Sequence, residues 1–120
     1  MKRDLELIRK MVLAIEDSPT AYAPRLEFDG YTDAQVGYHA YLLIDAGLAR
    51  GQDTTTFDSD GPEAVITSLT WDGHEFADAA RDDSRWTKAM GLVQEKGGAV
   101  TIAVLTQVLV GLMKGAFGLL

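Results

Sequence analysis

The sequence predicts a mixed α+β fold, and three observations carry that expectation. Apolar residues recur at steps of three and four near the N-terminus and again from Val36 to Ala46. A run of turn formers, Asp58 to Pro62, separates a threonine-rich stretch from a β-branched one, which reads as a hairpin. Helical spacing resumes after Thr70 and continues through the C-terminal part of the chain. The expected order is helix, short strand, helix, hairpin, then C-terminal helices.

The first helix rests on Leu5, Ile8, Met11, Val12 and Ile15, which share one face, widened by Leu7 and Ala14. Asp4 and Glu6 stand where the helix dipole favours negative charge, and Ser18-Pro19 ends the run. "RLEF", Arg25 to Phe28, alternates in polarity and is expected as a short strand before a turn at Asp29-Gly30. Thr32 or Asp33 can cap the next helix, which carries Val36, Tyr38 or His39, Leu42, Leu43 and Ala46 on a helical period and ends at Gly47 in the left-handed conformation. The hairpin then takes Thr54 to Phe57 into its first strand and "AVITSLT" into its second, around the loop at Asp58 to Pro62.

Thr70 caps a third helix, and Phe76, Ala79 and Ala80 form its inward face. Asp83 or Ser84 caps a fourth, running through Trp86, Met90 and Val93 to Gly97-Gly98. A last helix begins near Thr101. The chain is expected to be one domain, 1–120, with a C-terminal helical extension over about 84–120.

Composition narrows the function. The 120 residues are 47% hydrophobic and 24% charged, enough apolar content for a packed core. The formal net charge of −7 gives the wrong overall sign for a non-specific nucleic-acid binder. With no cysteine there are no disulfides, thiolate nucleophiles or cysteine-based zinc sites, a composition that fits a cytoplasmic location. Asp4, Glu6, Arg9 and Lys10 interrupt the N-terminal apolar run, which excludes a secretory signal.

Two stretches resemble known proteins. "LLIDAGLAR", a hairpin and "SLTWDGHEF" in succession look like the core of winged helix-turn-helix proteins, in which the recognition helix ends on Ala-Gly-Leu before the wing. More closely, the chain resembles a family of uncharacterised bacterial and phage-encoded proteins classed as a domain of unknown function. That resemblance rests on "MKRDLELIRK", "VGYHAYLLIDAGL", "LTWDGHEFADAARDD", a following Trp-Lys and "KGG", and covers nearly the whole chain. It implies a winged-helix-like core and carries no reaction or catalytic residues; its phage and prophage association is a contextual hint toward a regulator. The chain departs from the helix-turn-helix pattern between Ser18 and Tyr31, where no second helix is expected. That helix normally sets the recognition helix across the DNA backbone.

The expected function is non-enzymatic binding, with DNA as the first partner. Gln35, Tyr38, His39 and Tyr41 would face bases, and Lys2, Arg3, Arg9 and Lys10 would meet phosphates. The charges weigh against this reading. The recognition-like helix has no Lys or Arg, and Gly51 to Thr70 holds four acidic residues (Asp53, Asp58, Asp60, Glu63) and no basic one. The alternative is a protein-interaction module that keeps the winged-helix scaffold without binding DNA, with Tyr31, Tyr38 and Tyr41 serving the interface.

Other constellations are weak. "HEFAD" opens like a zinc-protease motif, but Asp78 stands where the second histidine belongs. Asp82-Asp83 suits a cap better than an acid–base pair, and no phosphate loop or cofactor motif occurs. Trp71 is expected to seal the core beside the hairpin. From Ala99 onward the only charge is Lys114, yet Thr101, Thr106 and Gln107 argue against a membrane span. Ile102, Leu105, Leu109, Leu112 and Met113 are expected to make the last helix a homo-oligomer contact, with a two-fold dimer as the simplest form.

Overall fold

A computed structural model describes residues 1–119. Five helices and a two-stranded antiparallel sheet form a mixed α+β architecture: α1 (Leu5–Glu16), α2 (Asp33–Asp45), β1 (Ala49–Asp53), β2 (Ala64–Leu69), α3 (Trp71–Ala80), α4 (Asp83–Glu95) and α5 (Ile102–Ala116). The order of helix, helix, hairpin and C-terminal helices is compatible with a winged-helix-like core. The chain divides into two compact units, residues 1–75 and 76–120, with α3 beginning in the first and ending in the second.

In the first unit α1 and α2 pack together, and both lie against the hairpin. The core follows the periodicity of the sequence. Leu7, Ile8, Met11, Val12 and Ile15 from α1 are buried, as are Val36, Ala40 and Leu43 from α2 and Leu48, Ala49, Ala64, Ile66 and Leu69 around the strands. Side chains alternate along β2, so Val65 and Thr67 point outward. A bulge lies between Arg50 and Gly51. Gly51 is required there, because a Cβ would stand 2.1 Å from the Val65 carbonyl oxygen.

Thr70 ties three elements together. Its hydroxyl donates to the Gly47 carbonyl (2.6 Å) and accepts from the Gly73 N–H (3.1 Å), while its own N–H donates to the Leu48 carbonyl (3.0 Å). Gly47, at φ 78°, reverses the chain after α2, and the Leu48 N–H closes back on the Leu43 carbonyl (2.9 Å). A Cβ at Gly73 would meet the Leu48 carbonyl oxygen at 2.0 Å, so the start of α3 can reach this turn only without a side chain there.

Four local expectations change. The segment Arg25 to Phe28 does not join the sheet, which has two strands; the backbone bond toward β2 comes earlier, from the Ala23 N–H to the Thr67 carbonyl (2.8 Å). Thr54 to Phe57 lie in the hairpin loop, not in β1, because the threonine side chains bond locally and compete with a ladder. Trp71 is 76% exposed, with its indole N–H donating to Glu75 Oε1 (3.1 Å), so it does not seal the core. The cap of α4 is Asp82, one residue before Asp83 or Ser84 and the first of the Asp82-Asp83 pair read as suited to capping; its carboxylate accepts from the Arg85 N–H (2.8 Å).

In the second unit α4 packs on α5. Phe76, Trp86, Ala89, Val93, Leu105 and Leu109 are among its buried residues. Gly97, at φ 106°, and Gly98, at φ 81°, end α4, and the Thr101 hydroxyl caps α5 by accepting from the Val104 N–H (3.2 Å). Among the described residues, no helix is long and apolar enough to cross a membrane.

Candidate interaction surface

The residues expected to contact a partner divide into two groups, those engaged inside the first unit and those facing outward. His39 and Gln35 belong to the first group. His39 is 1% exposed; its Nδ1–H donates to the Gln35 carbonyl (2.7 Å), and its Nε2 accepts the Asp4 backbone N–H (2.8 Å). That pairing fixes a neutral ring protonated on Nδ1. The Gln35 side-chain oxygen accepts from the Thr32 N–H (2.8 Å), and the Thr32 hydroxyl accepts from the Gln35 N–H (3.1 Å), a complete capping box.

Asp4 completes the same network. Its Oδ1 caps α1 by accepting from the Leu7 N–H (3.1 Å), and its Oδ2 accepts from the Tyr31 hydroxyl (3.1 Å). The Tyr31 phenol is pushed above its ordinary value, first by desolvation, then by the hydrogen bond and charge of Asp4 and the charge of Glu6. Gln35, His39 and Tyr31 therefore fasten the start of α1 to α2. Asp4, which holds His39 through its N–H and Tyr31 through its carboxylate, carried only the signal of a first-turn acid favoured by the helix dipole.

Tyr38 and Tyr41 are half-buried on the hairpin side of α2. Tyr38 lines a notch of about 160 Å³ together with Met1, Ala34, Asp60, Gly61, Pro62 and Glu63. Tyr41 lines a hollow of about 180 Å³ with Ile44, Asp45, Asp53 and Ala64. Gly37 lets the hairpin approach here, since a Cβ would stand 3.1 Å from that of Glu63. No Lys or Arg lines either recess, and three of the four hairpin acids do.

The hairpin loop itself is tightly organised. The Thr54 N–H donates to the Glu63 carbonyl (3.0 Å), and the Glu63 N–H donates to Thr55 Oγ1 (3.0 Å). The Thr56 N–H donates to Ser59 Oγ (2.9 Å), whose hydroxyl donates to Glu63 Oε1 (2.8 Å). The Thr55 N–H donates to Asp53 Oδ1 (2.8 Å), and hydrogen bonds from the Thr55 side chain and backbone hold the Asp53 carboxyl below its ordinary value. Phe57, inside this network, has a relative exposure of 109%. Sequence reading missed Phe57 as a surface feature because it took the residue for a strand position.

Of the basic residues expected at phosphates, Lys2, Arg3 and Lys10 are exposed and Arg9 is half-buried. Lys2 and Arg3 adjoin Asp4 and so stand near α2. On α5, Leu105 and Leu109 are fully buried, whereas Ile102, Leu112 and Met113 are half-buried and Val104, Phe117 and Leu119 are exposed. His74 pairs with Glu16, and among the described residues no three His, Asp or Glu side chains are grouped to hold a metal.

The comparisons with known proteins give a lineage and no activity. The chain is 31% identical, over 110 residues, to an uncharacterised protein of Haemophilus influenzae, covering 90% of this chain and 92% of the relative. No solved structure matches it. Residues 2–99 match the family described as hypothetical protein (DUF2513), and the chain belongs to that family.

Proposed function

We propose that this protein is a non-enzymatic, winged-helix-like binding module that engages another protein through the face formed by α2 and the hairpin. The observation that carries the reading is the charge of that face. Neither α2 nor the stretch from Gly51 to Thr70 holds a Lys or Arg, the hairpin's one cation being Arg50 in β1, which donates to the Leu69 carbonyl, while Asp45, Asp53, Asp60 and Glu63 border the two recesses beside Tyr38 and Tyr41. Phosphates are repelled by such a surface, and a base-reading helix needs free polar side chains. Burial of His39 and the capping role of Gln35 remove two of those readers. The stretch between α1 and α2 contains no helix, so the element that would seat a recognition helix on DNA is absent as well.

The test is an amide-resolved titration of the full chain with random-sequence duplex DNA. Unshifted resonances for α2 and the hairpin are the expected result. Shifts at Tyr38 and Tyr41 that fade with salt would contradict it.

A second reading, a regulator that contacts DNA, has one observation in its favour: Lys2, Arg3 and Lys10 are exposed, and the first two stand beside α2. It is consistent with the phage and prophage association of similar sequences. Homo-oligomerisation through α5 is part of the same proposal. Val104, Phe117 and Leu119 leave an apolar surface on and just beyond that helix, and a second copy would remove it from water. The cysteine-free composition suits a cytoplasmic protein.

A further inference from the structure

The hairpin loop combines three features that local folding does not require. A two-residue turn would have closed β1 and β2, yet the chain uses Thr54 to Glu63. That loop is fixed by its own hydroxyl and carboxylate bonds, with no apolar support from Phe57, whose ring stands wholly in water. Beside it lies the notch under Asp60 to Glu63, with apolar walls at Ala34, Pro62 and the Tyr38 ring and carboxylates at Asp60 and Glu63. Exposing a phenylalanine on a hydrogen-bonded loop keeps apolar area in water, and with the backbone already fixed only the two side-chain torsions are lost when a partner covers the ring.

We propose that the hairpin tip is the anchor of the interface, with Phe57 entering an apolar cavity on a partner protein and the adjacent notch receiving a Lys or Arg side chain from that cavity's rim. This rests on the protein-binding reading above and adds the partner's chemistry to it. Charge complementarity selects the occupant. The charges of the loop, Asp58, Asp60 and Glu63, are all negative, and Arg50 lies toward the opposite end of the strands, so the surface that meets the tip is basic. The notch suits a long cationic side chain: its stem lies against Pro62 and Tyr38, and its head meets Glu63 and Asp60. Glu63 is already oriented for this by the Ser59 hydroxyl. A nucleic acid could also accept a wedged aromatic ring, but its phosphates would meet Asp58 and Asp60, which follow Phe57 in the same loop.

The experiment places photoreactive benzoyl-phenylalanine at position 57 of the full chain, and separately at position 45, in cells where the protein is native. The protein captured is then purified and titrated with wild type, Phe57→Ala and Glu63→Gln, all checked for folding by circular dichroism. The expected result is a discrete protein adduct from position 57, with affinity falling about tenfold or more for Phe57→Ala. Glu63→Gln should weaken binding and reduce its dependence on salt. A partner captured only from position 45, whose affinity Phe57→Ala leaves unchanged, would overturn the inference and leave the protein-binding reading standing. Adducts to nucleic acid, or no protein adduct from either position, would overturn both.

Discussion

His39 shows how a residue type that suggests chemistry can be structural. Its two nitrogens join α1 to α2, one through the Asp4 amide and one through the Gln35 carbonyl. Replacement by alanine leaves the Asp4 N–H without its partner and opens a cavity beside Tyr38, whose ring meets the imidazole edge-on at 5.7 Å. The expected cost in a urea unfolding experiment is about 1–3 kcal/mol from the unsatisfied group, with cavity loss in addition. Gly73→Ala acts through shape instead: the added methyl collides with the Leu48 carbonyl, and the expected loss is about 1–3 kcal/mol or more. Asp53 reports on the loop. Its folded value lies below 3.8, so its contribution to stability is present above that pH and is lost as pH falls through the lower folded value. A carboxyl NMR titration of the wild type should therefore show a midpoint below 3.8, and Thr55→Ala should move it back toward 3.8 by removing the largest cause.

At the scale of elements, the sequence was legible wherever one local signal decided the outcome. The helical face of α1, the Gly47 exit from α2, the Thr70 cap and the start of α5 near Thr101 could all be read because each rests on residues within one or two turns. Elements whose fate depends on distant partners were not legible. "RLEF" has a strand pattern, but a strand needs a ladder partner, and the backbone bond to β2 comes from the Ala23 N–H, ahead of this segment. "TTTF" has strand propensity, and side-chain bonds within the loop overcame it. Trp71 looked buried by size; its position at the first turn of α3 turns it outward, toward Glu75. The candidate surface was half legible. Its acidity and its tyrosines were visible in the sequence, whereas the engagement of His39 came from the contact with Asp4, 35 residues away, and that of Gln35 from its capping box with Thr32.

For the whole molecule, the two proposed contacts, through the acidic α2–hairpin face and through the apolar surface around α5, respond differently to salt. The first is expected to weaken as salt rises; the second is uncharged apart from Lys114 and is not. Light scattering should give more than one chain per particle for the wild type. The double variant Val104→Glu, Phe117→Glu, which leaves the buried Leu105 and Leu109 untouched, should be monomeric with its helical content unchanged. A wild-type monomer would remove the α5 contact from the account without touching the hairpin face.

The measurement that bears most directly on the central claim is fluorescence anisotropy of labelled duplex DNA titrated with the full chain at low and at physiological salt. A face that repels phosphate should give no anisotropy change at either salt up to roughly 10⁻⁴ M protein, the weak end of the non-specific range. Sub-micromolar binding that falls steeply as salt rises and is abolished by Lys2→Glu with Arg3→Glu would contradict it, and would make the exposed N-terminal cations, rather than the hairpin, the working face of the protein.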